Sequence, residues 1–138
     1  MHDKVVLDSS LIAAIFFPEP ISGKAIDIAA AHDCITIDLA YPEVANVAWK
    51  RAVHAGNDPE LVKDLLDTAT SFIREACEVL PSYDLINPAW DLACRHRITM
   101  YDALFIAASV RCGTPLATAD RKLSAVAGSI GPAILVEE

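Results

Sequence analysis

Short β-branched runs separated by longer helical segments constrain this chain more than any other feature. Residues 4–7, 34–37, 78–80, 115–118 and 133–136 are apolar runs of strand length. Between them, apolar residues return at helical spacing. Strands alternating with helices in this way build a parallel sheet with helices on both faces. Ser9 or Ser10 is placed to cap a first helix through Phe16, which Pro18-Glu19-Pro20 stops. Ile21, Ala25, Ile28, Ala29 and His32 mark a second helix. Asp38 is read as the cap of a third, which carries Pro42 in its first turn and runs to about residue 55. After the turn Gly56-Asn57-Asp58-Pro59, residues 60–76 carry a stripe of Leu61, Leu65, Ala69, Phe72 and Ile73 opposite an acidic face. Helices over 87–97 and 100–112, the latter stopped by Gly113, and a short one over 121–127 complete the pattern.

Composition narrows the classes. A length of 138 residues fits one domain spanning 1–138, and 54% hydrophobic residues exclude a disordered chain. No apolar run reaches the roughly 18 residues of a membrane span, and the opening carries no secretory pattern, so a cytoplasmic protein without membrane contact is expected. The cysteines, Cys34, Cys77, Cys94 and Cys112, form no C-x-x-C pair. Each lies in an apolar stretch and is expected as a buried thiol, with a Cys77–Cys94 disulfide as the alternative. A net charge of −8 argues against a protein that simply coats nucleic acid, but suits one that gathers carboxylates around metal ions.

Four acids carry the chemistry. Asp8 ends the first strand and Asp120 follows the fourth, while Glu43 and Asp102 lie in first turns of helices. In open parallel sheets, ligands bind beyond the carboxyl ends of strands where the strand order reverses. If the first and fourth strands are neighbours, Asp8 and Asp120 converge there. Each acid alone has a structural explanation, as a helix-start carboxylate or a turn residue. Their surroundings argue for more: Val5-Val6-Leu7-Asp8 and Tyr101-Asp102-Ala103-Leu104-Phe105 each set a charge in an apolar run. Clustered carboxylates repel, and hard divalent ions such as Mg²⁺ or Mn²⁺ relieve that repulsion through oxygen ligands. Such ions support in-line phosphoryl displacement.

These residues bring a family into view. Val5-Val6-Leu7-Asp8-Ser9-Ser10, Pro42-Glu43-Val44-Ala45-Asn46, Tyr101-Asp102-Ala103 and Thr118-Ala119-Asp120, in this order and separation, resemble the PIN-domain nucleases, and among them the toxins of VapBC-type toxin–antitoxin pairs. The resemblance implies a three-layer αβα domain with a five-stranded parallel sheet, first strand central and fourth beside it. It also implies that Asp8, Glu43, Asp102 and Asp120 hold one or two Mg²⁺ or Mn²⁺ ions and hydrolyse RNA. Ser10 stands where the family often has Asn. Thr118 is a candidate to orient Asp8 or Asp120, and Ser10 to bond a carboxylate. Asn46 and Lys50 share the Glu43 face of their helix, with Lys50 a candidate phosphate contact. Arg95, Arg97, Arg121 and Lys122 are candidates for a basic rim.

Two other Asp-first folds fit poorly. A haloacid-dehalogenase-type phosphatase needs a second Asp where Ser10 stands, and a response-regulator receiver needs an Asp where the third strand runs into Leu80-Pro81. A PIN-like domain that has lost catalysis and only binds protein or RNA is the competing reading. The first helix, with Leu11, Ile12, Ile15, Phe16 and Phe17, is apolar on nearly every side. It is therefore expected to serve a homodimer contact and a groove for a small antitoxin, unless the second helix covers it within one subunit.

Overall fold

Residues 2–138 are described by a computed structural model with five strands: β1 (Lys4–Leu7), β2 (Asp33–Ile37), β3 (Cys77–Leu80), β4 (Leu116–Thr118) and β5 (Ala133–Leu135). They lie in the order β3-β2-β1-β4-β5, and every pairing is parallel. The first strand is thus central with the fourth beside it. Val5, Val6 and Leu7 are fully buried because the central strand is covered on both faces, which is why it reads as a continuous apolar run.

Helices α1 (Ser9–Phe16), α2 (Ser22–Ala31), α3 (Ala40–Val53) and α4 (Pro59–Ala76) cover one face. Helices α5 (Ile86–His96), α6 (Met100–Cys112) and α7 (Arg121–Ile130) cover the other. The strands divide their side chains accordingly: Val5, Leu7 and Cys34 face the first helical layer, and Val6, Ile35, Ile37 and Leu116 face the second. The central strand therefore ends inside the molecule, and whatever follows Leu7 is held by both layers.

The structure corrects several of these local expectations. Neither Ser9 nor Ser10 caps α1; Asp8 does, by accepting from the Leu11 N–H at 3.0 Å. Asp38 does not cap α3, which begins at Ala40 without a side-chain cap. Its carboxylate instead accepts from the Ser82 N–H at 3.1 Å, tying the end of β2 to a 3-10 turn over Ser82–Leu85. Helix α4 starts at Pro59 under an Asp58 cap, and Leu61 faces solvent while Val62, Ala69 and Ile73 fill the core. Helix α7 continues to Ile130.

The apolar first helix leaves no surplus patch. Leu11 and Ile12 are fully buried, Phe17 is 1% exposed, and Ile15 and Phe16 are half-buried. The cover comes from α2, α3 and α4 together, with the Phe16 and Phe72 rings 5.4 Å apart. A helix that is apolar all round is here a core helix, buried between the sheet and a second tier of helices.

The cysteines diverge from a uniform buried set: Cys34 is buried, Cys77 and Cys112 are half-buried, and Cys94 is exposed. All four are free. Cys94 lies on α5, across the sheet from Cys77, so the Cys77–Cys94 alternative falls away. Among the described residues, no helix is long and apolar enough to cross a membrane.

Candidate active site and metal centre

The carboxyl ends of β1 and β4 are adjacent, and the strand order reverses between them. The chain leaves β1 directly into Asp8, whose N–H bonds the Ala117 carbonyl of β4 at 3.3 Å. Asp8 is 4% exposed, and both carboxylate oxygens are engaged. Oδ1 accepts from the Leu11 N–H and from the Ser10 hydroxyl, the latter at 2.8 Å, and Oδ2 accepts from the Thr118 hydroxyl. Asp120 lies two residues past the end of β4 and caps α7, with Oδ1 accepting from the N–H groups of Lys122 at 2.9 Å and Leu123 at 3.1 Å. Its own N–H donates to Thr118 Oγ1 at 2.9 Å, so one buried hydroxyl links the two acids.

Glu43 comes from the first turn of α3, and its Oε1 accepts from the Ser9 hydroxyl at 2.6 Å. Asp102 sits in the first turn of α6, where its N–H donates to the capping Thr99 hydroxyl at 3.2 Å. Asp8, Glu43, Asp102 and Asp120 line one open cleft of about 530 Å³ with Asn46 and Lys50. Ser10 lies on the same wall, also accepting from the Ala119 N–H at 3.2 Å. The four acids and their polar candidates thus meet at this cleft, with Thr118 bonded to Asp8 just beneath it.

The electrostatics are those of a crowded anionic site. Burial raises the Asp8 carboxyl from 3.8 to about 6, against the lowering effect of bonds from Thr118, Leu11 and Ser10, and the charge of Asp120 raises it further. Burial also raises Asp102, and Asp120 adds to that shift. Among the described residues, none of the four acids is in an ion pair.

The Asp8 shift has a consequence for the metal-free protein. The folded state holds this proton more tightly than the unfolded chain, so the stabilisation is complete below about pH 4 and is lost as pH rises through about 6. The loss amounts to about 3 kcal/mol. Urea unfolding in EDTA should show this decline between pH 4 and 6.5 beyond that of Asp8→Asn, whose profile should be flatter. Parallel profiles would mean that Asp8 is not held against its charge.

The donor set fits a hard divalent cation: oxygen ligands only, one of them buried without a cationic partner among the described residues, in an open cleft at a strand-order reversal. The carboxylates stand apart rather than forming a closed cage. Among the described residues, no three His, Cys, Asp or Glu groups are close enough together to hold an ion as placed. Two of the acids are occupied elsewhere, Glu43 with Ser9 and Asp120 with the start of α7, as expected of like charges that splay apart.

Ser9 is a site residue that sequence reasoning misses, because its partner is distant along the chain; the only signal is its place beside Asp8. Tyr101, exposed on the cleft rim, is likewise marked in the sequence only by its position next to Asp102. The expected basic rim does not line the cleft. Lys50 is its one cationic lining residue among those described; Arg95, Arg97 and Lys122 are not on its wall, and Arg121 pairs with Glu137.

The PIN domain family matches residues 5–129. Ribonuclease VapC3 of Pyrobaculum aerophilum is 34% identical over 122 residues, covering 88% of this chain and 92% of that protein. PAE2754 from Pyrobaculum aerophilum superposes with a TM-score of 0.75 at 21% identity, over 96% of this chain and 84% of that one. VapBC2 from Rickettsia felis, solved bound to a DNA fragment from its promoter, gives 0.63 at 12% identity, over 97% and 99% of the two chains.

Proposed function

The chain belongs to the PIN-domain family, and we propose that it is a Mg²⁺- or Mn²⁺-dependent endoribonuclease acting as the toxin of a toxin–antitoxin pair in the cytoplasm. The observation that carries this reading is Asp8: a buried, unpaired carboxylate at the strand-order reversal, pressed by Asp120 and facing a cleft that Glu43 and Asp102 share. A protein has little reason to bear such a charge unless a cation completes it. Similarity to a ribonuclease over most of both chains supports RNA as the substrate.

Asp8, Glu43, Asp102 and Asp120 would hold one or two ions. When bound, the metal supplies a Lewis acid for the phosphodiester and lowers the pKa of water. The chain supplies the rest. Thr118 and Ser10 fix the Asp8 carboxylate, Thr118 also takes the Asp120 N–H, and Ser9 fixes Glu43. Asn46 and Lys50 lie one and two turns along α3 from Glu43 on the cleft wall, where Lys50 would meet a substrate phosphate.

Partners follow from the same reading. A small antitoxin is supported by the likeness to VapBC2. A homodimer would draw on exposed apolar side chains, among them Trp49 and Val53 on α3 and Ile86 and Trp90 on α5. With α1 covered, these side chains are the candidates for the contact expected of it.

Cleavage of single-stranded RNA by the purified protein should require added Mg²⁺ or Mn²⁺ and stop in EDTA. Absence of cleavage with either metal, together with retained RNA or protein binding, would favour the alternative of a binding module that has lost catalysis.

A further inference from the structure

At the opposite end of the sheet from the carboxylates, two cysteines stand side by side. Cys34 opens the buried part of β2, and Cys77 is the first residue of β3; the parallel register pairs them directly. Register partners on neighbouring strands lie about 4.8 Å apart, inside the roughly 4.4–6.8 Å over which Cα atoms accept a disulfide. Both side chains face the α1–α4 layer, so their Cβ atoms point to the same side.

We propose that Cys34 and Cys77 are a disulfide site, a cross-strand clamp that ties the edge strand β3 to β2. As neighbours the two thiols act on each other: Cys77 draws Cys34 down, and Cys34, with burial, pushes Cys77 up. The Cys34 thiol otherwise has only long contacts, to the Ala29 carbonyl at 3.6 Å and the His32 carbonyl at 3.7 Å, so little is lost when it changes partner. A cleft of about 450 Å³ lined by His32, Cys34 and Phe72 reaches the pair from the Cys34 side. The other two thiols have no such neighbour. Cys94 is exposed on α5, and Cys112 packs against the opposite face of the sheet.

The oxidant belongs to the class of low-molecular-weight disulfides. One cysteine, as its thiolate, attacks the small disulfide and displaces a thiolate, leaving a mixed disulfide. The second cysteine then attacks the protein sulfur and displaces the other thiolate. The two protons given up by the protein thiols go to the two departing thiolates, and two electrons pass to the small molecule. The closed loop is long, so the link should constrain the unfolded chain strongly.

Full-length protein incubated with glutathione disulfide and then denatured should lose the mass of two hydrogens and fall from four titratable thiols to two. Peptide mapping should join the segments holding residues 34 and 77. Cys77→Ser should abolish the change, and a Cys94→Ser/Cys112→Ser double variant should keep it. The oxidised protein should melt roughly 5–10 °C higher, and reductant should reverse this. Four thiols remaining, glutathione retained as an unresolved adduct on Cys34 or Cys77, a link to Cys94 or Cys112, or equal melting temperatures would each overturn the proposal.

Discussion

Asp8→Asn and Asp102→Asn should each lower RNA cleavage by roughly 10²–10³-fold or more, while the metal-free protein stays folded. Asparagine preserves the shape and the cap at position 8. Its carbonyl oxygen can still accept from the Leu11 N–H and the Ser10 hydroxyl, as Oδ1 does now. The amide nitrogen would then meet Thr118 Oγ1, which can act as an acceptor. What disappears is the charge that burial and Asp120 already oppose, so melting at neutral pH in EDTA should be unchanged or higher. On this reading Mn²⁺ should raise the melting temperature of the wild type and leave that of either variant unchanged. Wild-type turnover in either variant would place the reaction elsewhere. A variant that unfolds would instead show Asp8 to be needed for its cap.

Phe17→Ala should destabilise the fold by about 3–5 kcal/mol, lowering the melting temperature by roughly 10–20 °C. Phe17 closes α1 with 1% of its surface exposed, and the Arg51 guanidinium lies 6.0 Å from the ring centre. Truncation leaves a cavity between the sheet and the second tier of helices, where neighbouring side chains cannot collapse freely. Sedimentation should be unaffected at temperatures where the variant is folded. A large change in association with little change in melting would return α1 to the surface and make it the interface that its apolar sequence suggests.

What is legible in the sequence is short in range. The run Val5-Val6-Leu7-Asp8 announces both a doubly covered strand and a charge at its end, and Leu116-Ala117-Thr118-Ala119-Asp120 repeats the pattern. Strand adjacency cannot be read from these residues alone; the family resemblance supplies it, and the pairing of β1 with β4 agrees. The failures are contacts that only the third dimension decides. Ser9 has the position of a cap, whereas it donates to Glu43, 34 residues away, and Asp8 takes the cap instead. Asp38 also stands where a helix cap would, yet the Ser82 N–H claims it. The surplus apolar surface of α1 is real in the sequence, but α2, α3 and α4 fold over it. Nothing in the sequence tells which cysteine neighbours Cys77; the sheet register sets it beside Cys34, not Cys94.

The chemical identity of the RNA ends tests the central claim most directly. Hydrolysis at a carboxylate-held metal site uses water as the nucleophile and expels the 3′ oxygen, which leaves 5′-phosphate and 3′-hydroxyl termini. Mass spectrometry of a short oligonucleotide cleaved with Mn²⁺ should show only these ends. Fragments ending in 2′,3′-cyclic phosphate, formed with the same yield in EDTA, would contradict the account, because they require attack by the ribose 2′-hydroxyl and no metal.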